Sequence, residues 1–514
     1  MKESEAMARG DQVTHVDVIV VGAGISGIGA AYHLSDQCPD RSFLVLEEQQ
    51  SFGGTWITHK YPGIRSDSDL YTFGYRFKPW VGNPIATAEE ILHYMGEVIT
   101  ENGLAAHIRY RHRILAADWS STDNLWTLDV ERLDTGERLT FTAGFLWMCQ
   151  GYYRHSKGYT PEWPGMAEFQ GRIVHPQTWP DDLALKGKRV VCIGSGATAA
   201  TLIPNIAGDC AHVTLLQRSP TFFIPGRNIN ELVETLKVLQ IDESWIHEIA
   251  RRAVLHQLSE LNRRSFEEPE TLRHELLEGV RAFLPEDQVQ RHFNPRYRPW
   301  QQRIAFIPDG DLLAAIRDGK ASVVTDEIDR FTHGGIRLKS GEELPADVII
   351  TATGFDLCMM GDIAFAVDGA PVDWSKTVNY RGMMFTGVPN LAWVMGYFRA
   401  SWTLRVDLLG DFVCRLLNHM HEIGAERVEV RLRPEDADME LRDWIDPENF
   451  NPGYLMRGMH LMPRRGDKPE WMHNQDYWRE AAEIPAIDLD GAEFAYGGGS
   501  DYGLSSRSRN RTVA

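Results

Sequence analysis

Val16-Asp-Val-Ile-Val-Val21 runs directly into Gly22-Ala-Gly24-Ile-Ser26-Gly27 and on into a stretch of small and apolar residues that ends near Leu34. A short, nearly all-apolar run suits a strand buried on both faces, the glycines suit a tight turn, and the small residues suit a helix packed close to that strand. Ser42-Phe-Leu-Val-Leu46, ending at Glu47, reads as the next strand and completes a strand-helix-strand unit. The same grammar returns at Lys188-Arg-Val-Val-Cys-Ile193, then Gly194-Ser195-Gly196-Ala197-Thr198-Ala199, then His212-Val-Thr-Leu-Leu216. One such glycine loop is weak evidence. Two, each following an apolar strand and opening a helix, are strong.

The fold class that follows is α/β, with two Rossmann-like dinucleotide-binding domains. Glycine serves these turns because a Cβ would forbid their backbone and because a pyrophosphate must approach N-H groups at the helix start. The residue at the end of the following strand separates the two sites. Glu47, twenty positions past Gly27, is a carboxylate that accepts hydrogen bonds from ribose hydroxyls and would repel a 2'-phosphate, which suits FAD. Arg218, nineteen positions past Ala199 and followed by Ser219, is a cation that pairs with a 2'-phosphate, which suits NADPH. Ordinary strand-end charges would have no reason to differ in sign at equivalent places. Ala199 replaces the third glycine and still allows close helix packing.

At 514 residues the chain is long enough for two or three domains. A net charge of -19 argues against a nucleic-acid partner, which needs a cationic surface. The six cysteines stand without C-x-x-C spacing, so they read as reduced core residues of a cytosolic protein and not as a redox dithiol or a metal site. The first fourteen residues, with no continuous apolar core, are not expected to be a secretory signal. The most apolar stretch, Asp17 to Leu34, is interrupted by glycines, so no membrane span is expected, while peripheral contact with a lipid surface stays open. Helical periodicity from Trp245 through Ile246, Ile249, Ala250, Ala253, Val254 and Leu258, and again after Pro269, marks a helical insertion. The expected organisation is a disordered 1–14, an FAD domain at 15–150, an NADPH domain at 151–227, the insertion at 228–298 and the NADPH domain again at 299–379. The FAD domain with a substrate-side lid then returns at 380–496, before a disordered Gly-, Ser- and Arg-rich tail at 497–514.

Two longer motifs narrow the reading. Phe169-Gln-Gly171-Arg-Ile-Val-His175-Pro-Gln-Thr-Trp179-Pro180 fits F-x-G-x-x-x-H-x-x-x-W-P, and Gly53-Gly54-Thr55-Trp56 through Tyr61-Pro62-Gly63 to Asp67 fits [A/G]-G-x-W-x-x-x-x-[F/Y]-P-[G/M]-x-x-x-D. Both resemble the fingerprints of type I Baeyer-Villiger monooxygenases. Tyr61-Pro-Gly-Ile-Arg-Ser-Asp-Ser-Asp69 and Pro308-Asp-Gly-Asp311 are similar to the subgroup of ethionamide-activating and long-chain-ketone monooxygenases. The resemblance implies a cycle in which NADPH reduces FAD, O2 forms a C4a-peroxyflavin, and attack on a ketone gives a tetrahedral Criegee-type adduct that rearranges to an ester or lactone. Sulfide oxidation is an expected side activity, and an N- or S-oxygenating flavin-containing monooxygenase is the alternative.

By the same resemblance Arg303 is the cation for peroxide and oxyanion, Asp67 its acidic partner, and both touch the cofactors. Gly54, Thr55, Trp56 and the Ile114 backbone are expected beside FAD. Many relatives carry Lys where this chain has Gln302, so its hold on the 2'-phosphate leans on Arg218 and Ser219. His175 invites a general-base reading because histidine titrates near neutrality. The resemblance instead makes Phe169, Gly171, His175, Trp179 and Pro180 a connector between the domains, and gives Ala352-Thr-Gly-Phe355 a similar linking place. Trp393, Tyr397, Trp402, Trp471 and Trp478 are candidates for the wall of an apolar substrate pocket.

Overall fold

The computed structural model describes residues 13–498. The opening strand is Thr14–Val21, so Thr14 is ordered sheet and not the end of a disordered arm; it pairs in parallel with Phe43–Leu46 on one side and Glu137–Met148 on the other. From Val18 on, its side chains alternate between two cores. Val18 and Val20 join one cluster while Val16, Ile19 and Val21 join the other. That double burial is why the run is nearly all apolar, since each fully buried aliphatic contributes roughly 1.5–3 kcal/mol.

This large sheet has nine strands. A meander of His112–Ser120, Leu125–Arg132 and Glu137–Met148 extends it on one side, and Leu391–Trp393 pairs in parallel with Glu137–Met148. Ala364–Val367 also joins it, beside His112–Ser120. The expected return to the first domain at residue 380 is therefore late: residues 364–371 already belong to its sheet. The short strands there lacked a periodicity long enough to assign.

The second sheet is all parallel, in the order Ala321–Thr325, His212–Gln217, Arg189–Ile193, Val348–Thr351, Arg172–Val174. Val190 and Cys192 face one core, Val191 and Ile193 the other. Val348–Thr351 stays in this sheet, and just beyond it Phe355–Leu357 pairs with Tyr153–Gly158 where the chain crosses between the sheets.

The insertion is helical as read, with Glu231–Val238, Glu243–Glu267, Pro269–Arg281 and Glu286–His292, and Pro269 stands in a first helical turn. It leans on both cores, because Ile246, Ala250 and Val254 enter the first and Leu277 and Val280 the second. Trp245, counted into the periodic face, is 63 % exposed. The long helix Trp402–Ile423 lies against Ile25–Gln37, where Gly29 leaves room for Val406. Phe494–Gly497 pairs with Arg427–Val430, so Gly497 is strand and not tail. The disorder expected for 1–12 and 499–514 lies outside the described residues. Among the described residues no helix is long and apolar enough to cross a membrane, and no group of three or more His, Cys, Asp or Glu is placed to hold a metal ion.

Candidate active site

One cleft of about 1110 Å³ is lined by both glycine loops. In the first, Gly22 has φ +96° and the Cβ of any residue at Gly27 would stand 1.8 Å from the Gly22 carbonyl oxygen, so strand and helix close only on glycine. The helix Ile25–Gln37 starts at Gly24 with no side-chain cap, which leaves its first N-H groups facing the cleft as an anion seat. Glu47 closes the far side at 6 % exposure, accepting from the Ala23 N-H at 2.6 Å and the Gln49 N-H at 2.8 Å. Burial raises its pKa and the two N-H groups counter that. Ser26 Oγ accepts from Trp402 Nε1 at 2.7 Å. Gly54, Thr55, Trp56 and Ile114 line the same end, with the Thr55 hydroxyl 2.6 Å from that of Tyr153.

The second loop repeats the geometry. Helix Ala197–Ile206 also starts uncapped, at Gly196, and Gly194 abuts the Ala352 carbonyl, which a Cβ would meet at 2.2 Å. Ser195 Oγ donates to the Ser219 carbonyl at 3.1 Å and lies 2.8 Å from Thr221 Oγ1, tying the loop to the end of the next strand. Gly194, Ser195, Gly196, Ala197, Thr198, Arg218 and Ser219 all line the cleft, and Arg218 is exposed there.

Arg303 and Asp67 meet between the loops, with Arg303 Nη1 donating to Asp67 Oδ2 at 3.4 Å. Their side chains remain 36 % and 41 % exposed to the cleft. Burial works against the guanidinium charge, but Tyr454, Tyr152 and Asp67 outweigh it and hold the pKa above its ordinary value, so the cation persists at any working pH. Asp67 comes from a loop anchored across the domains: Tyr61 is buried in the core of the second sheet, and Arg65 pairs with Asp311 at 2.7 Å. Gln302, next to Arg303, donates from Nε2 to Asn451 Oδ1 at 3.3 Å.

Phe169, Gly171, His175, Trp179 and Pro180 do not line the cleft. His175 Nδ1 accepts from the Gln177 N-H and Nε2 donates to the Gly354 carbonyl, both at 3.1 Å. The ring fills the space against Gly158, and burial lowers its pKa. Phe169 is buried with Phe331, and Trp179 packs on the core of the second sheet. The neighbouring crossover is equally tied. Thr353 Oγ1 donates to the Tyr159 carbonyl at 2.5 Å, the Tyr159 N-H donates to the Gly354 carbonyl at 3.0 Å, and Phe355 stacks on Tyr153 at 4.4 Å.

Of the aromatic candidates, Tyr397 and Trp402 line the cleft, whereas Trp393 and Trp471 are fully buried core and Trp478 lies elsewhere. Sequence reasoning missed Tyr152, Tyr153, Tyr454 and Arg457. Tyr152 and Tyr153 follow the strand Glu137–Met148, and the rule that ligands gather at the carboxyl ends of parallel strands would have found them. Tyr454 and Arg457, on the short helix Gly453–Gly458, carry no local signal.

Comparison with known proteins gives the family. The NAD(P)-binding Rossmann-like domain family matches residues 20–80, and the Flavin-binding monooxygenase-like family matches residues 75–263. The FAD-containing monooxygenase EthA of Mycobacterium tuberculosis is 44% identical over 491 residues, covering 94% of this chain and 98% of that protein. The probable FAD-binding monooxygenase AlmA of an Acinetobacter species is 41% identical over 471 residues, covering 91% and 94%. A structure of oxidized steroid monooxygenase bound to NADP superposes with a TM-score of 0.72 at 23% identity, over 94% of this chain and 99% of that one, and shares the fold. With identity sustained along nearly its whole length, the chain belongs to the family of FAD-containing, flavin-binding monooxygenases.

Proposed function

We propose that the protein is a Baeyer-Villiger monooxygenase that uses FAD, NADPH and O2 to insert one oxygen atom beside a ketone carbonyl, giving an ester or lactone. The observation that carries this is the Arg303–Asp67 pair standing in the cleft between the two loops. FAD belongs on Gly22, Gly24, Ser26, Gly27, Glu47, Gly54, Thr55, Trp56 and Ile114, and NADPH on the second loop with Arg218 and Ser219. Both sites fit their groups, since each offers an uncapped helix start and a strand-end residue of the appropriate sign. Bound FAD, once reduced by NADPH, supplies the activation of O2.

The chain does the rest. The apolar wall of Tyr397 and Trp402 suits a hydrophobic ketone and thins the water around it. Arg303 is a fixed cation with several donors, and one contact to Asp67 orients it while leaving other N-H groups free for the carbonyl oxygen as that oxygen gains charge. Such a donor is worth about 10²–10³ in rate. The hydroxyls of Tyr152 and Tyr454 add polar atoms near the same guanidinium. His175 holds the crossover between the sheets, so it positions domains and exchanges no proton with substrate.

The test is purified, flavin-loaded protein with NADPH, O2 and a panel of 2-alkanones and phenylacetone, with esters read by mass spectrometry. Amine or sulfide oxides in place of any ester would move the assignment to N- or S-oxygenation. Arg303→Ala is expected to keep its flavin absorbance and lose ester formation by at least about 100-fold; normal turnover in that variant would remove Arg303 from the mechanism.

A further inference from the structure

We infer that Arg457 is a second cation for the 2'-phosphate of NADPH, standing in for the positive charge that Gln302 does not provide; this rests on the assignment of NADPH to the second loop. Arg457 lies on the short helix Gly453–Gly458, far in sequence from either glycine loop, yet it lines the same cleft as Arg218 and Ser219. Its guanidinium lies 3.5 Å from the centroid of the Tyr159 ring, and one N-H donates to the Phe355 carbonyl at 3.3 Å. Both partners sit on the crossover that touches the second loop, because Tyr159 is bonded to Gly354 and the nearby Ala352 carbonyl closes on Gly194. The cation is thus pinned beside the phosphate loop by its flat face and one edge, which leaves its remaining donors available.

Two further observations point to an anion. Among the described residues, neither Arg218 nor Arg457 has a carboxylate within ion-pair distance, in a chain whose net charge is -19. The carboxylate Glu327, which shares the cleft, is already held by Lys339 at 2.5 Å. Burial lowers the pKa of Arg457 against the pull of Tyr159 and Asp356, and the charge of Arg218 lowers it further, so the two guanidinium groups repel across a gap that a doubly charged phosphate would relieve.

The link to Gln302 is structural. Gln302 Nε2 donates to Asn451 Oδ1, and Asn451 begins the segment Asn451-Pro452-Gly453-Tyr454 that leads to Arg457. The chain therefore has a neutral amide where the resemblance expects a lysine, and that amide anchors the segment that brings in a different cation.

The experiment is isothermal titration of the flavin-loaded protein with NADP+ and with NAD+, in wild type, Arg457→Met, Arg457→Lys and Arg218→Met. Methionine keeps an apolar contact with Tyr159 and removes the charge. Arg457→Met is expected to weaken NADP+ about tenfold and NAD+ less than about twofold, with Arg457→Lys recovering part of the loss. Equal weakening of both nucleotides, or no weakening of either, would overturn the role of Arg457. If Arg218→Met also fails to separate NADP+ from NAD+, the assignment of NADPH to the second loop falls, and this inference with it. A selective loss in Arg218→Met alone leaves that assignment standing and removes Arg457. In the Arg457→Met background, Gln302→Lys is expected to restore the preference for NADP+.

Discussion

The two glycine loops share one sequence grammar and stand in different surroundings. At the first, Glu47 is buried under two backbone N-H groups, Ser26 is tied to Trp402, and Gly54 faces Gly24 so closely that a Cβ on Gly54 would stand 3.0 Å from the Gly24 Cα. At the second, Arg218 is exposed and a Cβ on Gly196 would meet nothing within 4 Å. The local code makes a phosphate-binding turn in both. Enclosure comes from residues hundreds of positions away, such as Trp402, and it is tighter at the first, where Trp402 and Gly54 close on the loop, than at the second, where Ala352 meets Gly194 but Gly196 is left open. A walled site suits the proposed FAD, which stays; an open one suits the proposed NADPH, which must enter and leave.

The hardest strain on this contrast is Gly27→Val. With 1.8 Å between the added Cβ and the Gly22 carbonyl, strand and helix must separate, and the variant is expected to lose its flavin and most of its soluble yield, read by absorbance and gel filtration. A yellow, folded variant would show that the first loop tolerates what its packing forbids.

Acid probes the packing behind Thr55, where His59 lies against Tyr153 and Phe355. His59 is buried, and its imidazole is pushed from 6.5 down to about 4 by that burial, with the Thr55 carbonyl pulling the other way. The unfolded chain therefore takes up this proton first. The contribution of His59 to stability is complete above about pH 6.5 and falls by about 3 kcal/mol as pH drops toward 4. Melting temperatures across that window should decline less steeply in His59→Gln, and an unchanged slope would discount the group.

The mildest change is Ala199→Gly, which gives the second loop the full glycine motif. Ala199 is buried in a helix without strain, so the substitution is expected to cost only about 1 kcal/mol and to leave NADP+ affinity unaltered. Tighter NADP+ binding in that variant would mean that the methyl group restricts the loop.

The strand-helix-strand units were legible because double burial writes an uninterrupted apolar run and because glycine is demanded by backbone approach, both local facts. Arg303 and Asp67 were legible only through the resemblance, since nothing near either in sequence shows that they meet. The domain border at residue 380 was misplaced because Ala364–Val367 and Ala370–Pro371 are too short to show alternation. Among five aromatic candidates, composition could not tell Tyr397 and Trp402, which face the cleft, from Trp393 and Trp471, which fill cores: burial and pocket lining draw on the same residue types.

By itself the sequence determined the two nucleotide units, the sign of the charge at the end of each, and the likeness to a monooxygenase family, because each is encoded in contiguous residues with a period or spacing that chemistry requires. Tertiary structure alone decided that the Tyr61–Asp67 loop is anchored across the two sheets, that Trp402 closes the first site, and that Arg457 arrives beside the second. These depend on where remote segments pack once their apolar faces are buried, and a side chain carries no local mark of the neighbour it will meet.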